Sequence, residues 1–185
     1  MKSGVAAQLG LMIALMATTA YGEAPPYNKN LEPLKPLIGK WTAELTLPVD
    51  IERVGKAGDT RRLMIVYKWT GNRQSIASEL NWEVQGKMVN AATSLIVWDP
   101  AAKKIIGFTS HADGSFTHGE HRARDGNIVI EAEGAKADGL QMRTTFEFSD
   151  VNASGFAIHI TKRSVGDQDT TPPPGPGLKV TCVQD

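Results

Sequence analysis

From Trp41 onward the chain alternates apolar and polar residues with a period of two. Trp41, Ala43, Leu45 and Leu47 fall on one side, Thr42, Glu44 and Thr46 on the other. Leu63, Ile65, Tyr67 and Trp69 share a face, and so do Ile76, Ser78, Leu80, Trp82 and Val84. Leu140, Met142, Thr144, Phe146 and Phe148 oppose Gln141, Arg143, Thr145 and Glu147, and Phe156, Ile158 and Ile160 oppose Ala157, His159 and Thr161. This is the period of a strand with one face buried, and helical spacing fits none of these segments. Turn residues punctuate them at Gly71, Gly86, Asp99-Pro100, Gly114, Gly126, Gly139 and Gly155. Such spacing predicts strand after strand.

The connections are short, as at Gly71-Asn72-Arg73, Gln85-Gly86-Lys87 and Asp125-Gly126. Loops of this length join antiparallel neighbours and leave no room for a parallel crossover. The prediction is an all-β, antiparallel up-and-down meander of about nine long strands. Leu178–Val183, beyond Pro172-Pro173-Pro174-Gly175-Pro176-Gly177, supplies a tenth. Long strands in series are expected to curl shut and remove their edges, giving a barrel. A barrel of this size is either filled by its own side chains or open for one small ligand. Asn30–Gly39 lacks the alternation. Leu31, Leu34, Leu37 and Ile38 have helical spacing despite Pro33 and Pro36, predicting a short N-terminal helix that plugs one mouth.

Composition narrows the classes. Lys and Arg number 20 against 20 Asp and Glu, so no bulk positive field is available to hold nucleic acid. A single Cys, Cys182, excludes an internal disulfide framework and a Cys-cluster zinc site. Residues 1–22 read as a secretory signal peptide: Lys2, an apolar run from Val5 to Ala17, then Ala20-Tyr21-Gly22. That run falls short of the roughly 20 residues needed to span a bilayer, so no membrane anchor is expected after cleavage. Residues 23–185 then form a single domain, periplasmic or secreted, whose oligomeric state is not legible.

Leu37-Ile38-Gly39-Lys40-Trp41, a Gly-x-Trp opening the first strand after a short helix, resembles the opening motif of the calycins, the lipocalins and their relatives. The resemblance implies that Trp41 closes the barrel floor and that a cation from late in the meander stacks over it. Arg163 is the candidate by position. Several further segments are similar to a group of small secreted bacterial lipocalin-like domains of unassigned function, often fused to ketosteroid-isomerase-like domains. They are Tyr67-Lys68-Trp69-Thr70-Gly71-Asn72-Arg73, Trp98-Asp99-Pro100, Lys104-Ile105-Ile106-Gly107-Phe108, Asp113-Gly114-Ser115-Phe116 with Gly119, and Arg124-Asp125-Gly126. No fused partner is expected, and the chain carries His121 where the group tends to carry Trp. The resemblance implies a fold and hardly a function.

Ser115–Arg124 is the anomalous strand. One face reads Phe116, His118, Glu120, Arg122, and the other Ser115, Thr117, Gly119, His121, Ala123. Neither is apolar, so the strand is either solvated or brings polar groups into a cavity. His118 and Glu120, two apart, project together, which suits an acid/base pair or two metal ligands. An exposed polar strand is the simpler explanation, and no metal is expected. A haem reading of His159, as in nitrobindin-type barrels, is opposed by phase: Ile158 and Ile160 should face in and His159 out. Cys182 has no adjacent His and reads as a core or half-buried thiol rather than a nucleophile. Tyr67, Ser78 and Thr144 are polar residues on apolar faces and, with Arg122, are the candidates to orient a ligand.

Three functional classes follow: an exported barrel holding one small, largely apolar molecule; a cavity isomerase or hydrolase using His118 and Glu120; and a filled barrel acting as an interaction module. The first needs small inward residues such as Ser78, Ala91 and Thr93. The second needs His118 inside, and the third needs Trp, Phe and Leu to close the interior. No cofactor is expected.

Overall fold

A computed structural model describes residues 24–183, so the leader expected over residues 1–22 lies outside them. A 3₁₀ helix (Lys29–Leu37) is followed by β1 (Gly39–Thr46), β2 (Thr60–Trp69), β3 (Ser75–Val84), β4 (Lys87–Asp99) and β5 (Lys104–His111). Next come β6 (Phe116–Arg124), β7 (Asn127–Ala135), β8 (Gln141–Asn152), β9 (Gly155–Val165), β10 (Gln168–Asp169) and β11 (Leu178–Cys182). Each of β1 to β9 is antiparallel to the next; β11 pairs with both β9 and β1 and closes a ten-strand ring. The expected meander barrel, with its long strands and its late closing strand, is the fold. The short β10 was not foreseen. It extends the ladder along β9, and the proline run, which has few N–H groups to donate, separates it from β11.

The plug forms because Leu31, Leu34 and Leu37 stand three apart, the repeat of a 3₁₀ helix, and so share one face. All three are at most 1% exposed. Asn28 Oδ1 caps the start by accepting from the Asn30 N–H at 3.0 Å. The helix seats Trp41, whose Nε1 donates to the Leu37 carbonyl at 2.7 Å. The Trp41 ring meets Phe156 edge-on with centroids 5.0 Å apart, and Phe156 packs on Phe148. Gly39 adopts φ +146°, a conformation that side chains disfavour, which accounts for the glycine two residues before the floor Trp.

At the other end, the β1–β2 connection folds inward as a strap. Leu47 and Val54 are buried in the core, and Arg61 holds the strap by donating to the Val54 carbonyl at 2.8 Å and to Asp59 at 2.7 Å.

Two phases differ from expectation. The β3–β4 register shifts between Leu80 and Asn81, pairing Leu80 with Ala92 but Asn81 with Asn90. The extra residue is Ala91. A bulge advances the side-chain alternation by one, so Ala92, Ser94 and Ile96 face inward and Thr93 is exposed. Leu140, expected at the start of an inward row, is 48% exposed and precedes β8.

Candidate functional site: a cavity in the barrel

Small residues on the inner face hollow the barrel. Ser78, Ala92, Ser94, Gly107, Gly119 and Ala132 border a cavity of about 220 Å³, whose remaining wall is mainly Ile65, Ile96, Ile130, Phe146 and Phe148. Space and apolar lining with a few polar groups are the general features of a small-molecule site.

The polar groups fall into two sets. Some satisfy one another: Ser94 Oγ and Thr109 Oγ1 are 2.9 Å apart, and His111 Nε2 and Thr117 Oγ1 are 3.2 Å apart. The others are Tyr67, Ser78 and His121. Among the described residues, neither the Tyr67 nor the Ser78 hydroxyl has a hydrogen-bond partner, and burial pushes the Tyr67 phenol up to about 12. His121 is 9% exposed, and its Nδ1 is buried without a partner among the described residues.

The position of His121 is set by glycine. Gly107 lies on the neighbouring strand β5, and a Cβ there would stand 2.3 Å from His121 Cε1. The imidazole therefore occupies the hollow that Gly107 leaves. Burial lowers its pKa to about 4, with the Gly119 main chain pulling weakly the other way, so the ring is neutral at pH 7.

Of the predicted residues, Tyr67 and Ser78 border this cavity. Thr144 pairs with Ala132 and Arg163 in the β7–β8–β9 ladder and is not part of the cavity wall. Arg122 lies on the outer face, where it pairs with Glu131 and Glu120. Glu120 is outside too, its carboxylate 2.7 Å from Lys104 Nζ. His118 borders the cavity, but its residue is exposed and its ring lies 6.4 Å from that of exposed Phe116. The strand's phase, with Thr117, Gly119 and His121 inward, thus sends His118, Glu120 and Arg122 out, and the proposed acid/base pair does not meet in the cavity.

Arg163 does not reach Trp41. It is exposed, sits opposite Thr144, and its N–H donates to Thr171 Oγ1 at 2.7 Å, towards the end of the barrel away from the plug. His159 points outward, 3.2 Å from Ser149 Oγ, as its phase predicted. Cys182 is half-buried beside Trp41 in the β1–β11 register. Among the described residues, no group of three or more His, Cys, Asp or Glu is placed to hold a metal ion.

His121 and His111 were not singled out from sequence as cavity groups. The available signal was Gly107, a glycine in the interior of strand β5, which marks a close approach by a neighbour.

Two further clefts lie near the strap. One of about 950 Å³ is an open outer groove lined by charge pairs such as Lys56–Asp50, Arg61–Asp59 and Arg62–Glu83. The other, about 370 Å³, lies between strap residues Ile51–Val54 and Trp82, Ala91 and Asp113. It shares His111 with the inner cavity.

No model of a known protein family matches the chain, and no curated protein is similar to it in sequence.

Proposed function

We propose that this protein is an exported carrier or receptor that holds one small, largely apolar molecule inside its barrel. The observation that supports this reading is the largely apolar cavity inside the barrel, with His121 Nδ1 buried and unpaired at its wall and the Tyr67 and Ser78 hydroxyls beside it without partners among the described residues. Unpaired buried polar groups are costly, and a ligand that engages them recovers part of that cost. Export rests on the leader pattern of residues 1–22. The calycin-like closure around Trp41 is consistent with a family whose members commonly use the barrel interior.

A filled interaction barrel is less well supported, because the small inner residues leave space. The isomerase or hydrolase reading has lost its acid/base pair to the outer face. Native mass spectrometry of the protein purified from its own host tests the proposal. A retained mass above the polypeptide, released on denaturation as an organic molecule, is the expected result. A clean polypeptide mass in repeated preparations, with no uptake of small apolar probes, would overturn it.

A further inference from the structure

The ligand's chemistry is constrained further by what the cavity leaves unsatisfied, and this inference rests on the binding reading above. Size comes first. The cavity measures about 220 Å³. A dry cavity of about 150 Å³ already takes benzene, so this one suits a single substituted ring or a body of similar bulk.

Charge comes second. Apart from the histidines, Glu79 is the charged residue bordering the cavity, and its carboxylate is taken by Lys68 Nζ at 2.9 Å. No free counter-charge is offered to an ionic ligand, whose desolvation would go uncompensated.

The third constraint is hydrogen bonding. Tyr67 and Ser78 are register partners on β2 and β3, so their side chains leave the sheet on the same face, and neither hydroxyl has a partner among the described residues. His121 stands on β6; going round the ring from β2 to β6, three strands intervene one way and five the other. The unpaired His121 Nδ1 and the two unpaired hydroxyls thus belong to different parts of the wall, Ser78 separated from β6 by two strands and Tyr67 by three. A neutral imidazole has one donor and one acceptor nitrogen, and a hydroxyl has both functions. A ligand O–H, able to donate and accept at once, matches either histidine tautomer and a Tyr or Ser partner. A carbonyl or ether matches only donors.

We propose that the cavity selects a compact, neutral, hydroxyl-bearing molecule of about one ring, a phenol or an alicyclic alcohol, with its O–H held by His121 or by the Tyr67–Ser78 pair and its body on the isoleucine and phenylalanine wall.

Calorimetric titration of the full chain with matched probes tests this. p-Cresol should bind about tenfold or more tightly than p-xylene, and 4-methylcyclohexanol should exceed 1,4-dimethylcyclohexane in the same sense. The two pairs show whether the natural body is flat or puckered, and preference in either pair supports the inference. 4-Methylbenzoate, of similar shape but charged, should not bind detectably. At least one of His121→Leu and Tyr67→Phe should reduce the hydroxyl preference while p-xylene binding persists. Circular dichroism checks that each variant is folded.

Equal binding of hydroxylated and hydroxyl-free probes, a preference unchanged in the folded variants, or tight binding of 4-methylbenzoate would overturn the hydroxyl inference while leaving the cavity a binding site. Failure of every probe to bind would overturn both.

Discussion

Acid should weaken this protein in a way that is traceable to one imidazole. His121 is buried in the hollow of Gly107, and burial lowers its pKa from an ordinary 6.5 to about 4. In the unfolded chain it binds a proton as pH falls through 6.5; in the folded chain it resists until about 4. Between those values the unfolded state carries more protons, so stability rises with pH across the window. The contribution is fully present above pH 6.5 and is lost as pH falls through 4. Linkage gives a loss of about 1.4 kcal/mol at pH 5.5 and about 3 kcal/mol at pH 4 relative to neutral pH. Carboxylates titrate in the same range, so the measurement must be a difference. Urea unfolding of the native protein and of His121→Leu at pH 7, 5.5 and 4 isolates the term. The variant should lose less stability on acidification, by about those amounts. Parallel pH dependences for the two proteins would show that His121 is not buried as described.

Gly107→Ala should drive the imidazole out of its hollow, because the new Cβ would stand 2.3 Å from Cε1; thermal melting should show a loss of about 1–3 kcal/mol, and p-xylene uptake should fall. Leu34→Ala removes a fully buried side chain from the plug and should cost about 2–5 kcal/mol in denaturant unfolding. Glu120→Gln and Arg122→Ala alter solvent-facing ion pairs, so calorimetry should find probe binding unchanged and stability shifted by no more than about 1 kcal/mol. Arg163→Ala should leave the tryptophan emission spectrum and, to within about 0.5 kcal/mol, the stability unaltered, since this side chain does not reach Trp41.

The barrel was legible because burial on one face imposes a period that survives in sequence. Trp41 and Ala43, Leu63, Ile65 and Tyr67, and Ile76 and Trp82 are buried as their alternation predicts. The plug was legible from three leucines three apart. Features that depend on strand pairing were not. The bulge at Ala91 that turns Thr93 outward is a property of two strands, and nothing local to β4 announces it. The site was half legible. Tyr67 and Ser78 stood out as polar residues on apolar faces, whereas β6 has no apolar face to reveal which side is in. Its inner face contains Thr117, Gly119 and His121 because the cavity needs space and polarity there, and those requirements resemble those of solvent. Arg163 was placed by a resemblance to calycin barrels rather than by any property of its own neighbourhood, and the ladder puts it elsewhere.

The ring is sealed by its shortest joint. β1 meets β2 over eight register pairs but β11 over two, Trp41 with Cys182 and Thr42 with Thr181. Beside them, Val183 N–H donates to the Lys40 carbonyl at 2.9 Å and Thr181 Oγ1 to that of Thr42 across 139 residues. As the chain leaves the ribosome, the outer edge of the first strand must wait for almost everything else to be made before its neighbour arrives. Until then it offers a bare row of backbone groups to any passing extended peptide. Among the strand pairings that close the ring, this zipper is where amide protons should exchange soonest, because the fewest register pairs hold it closed.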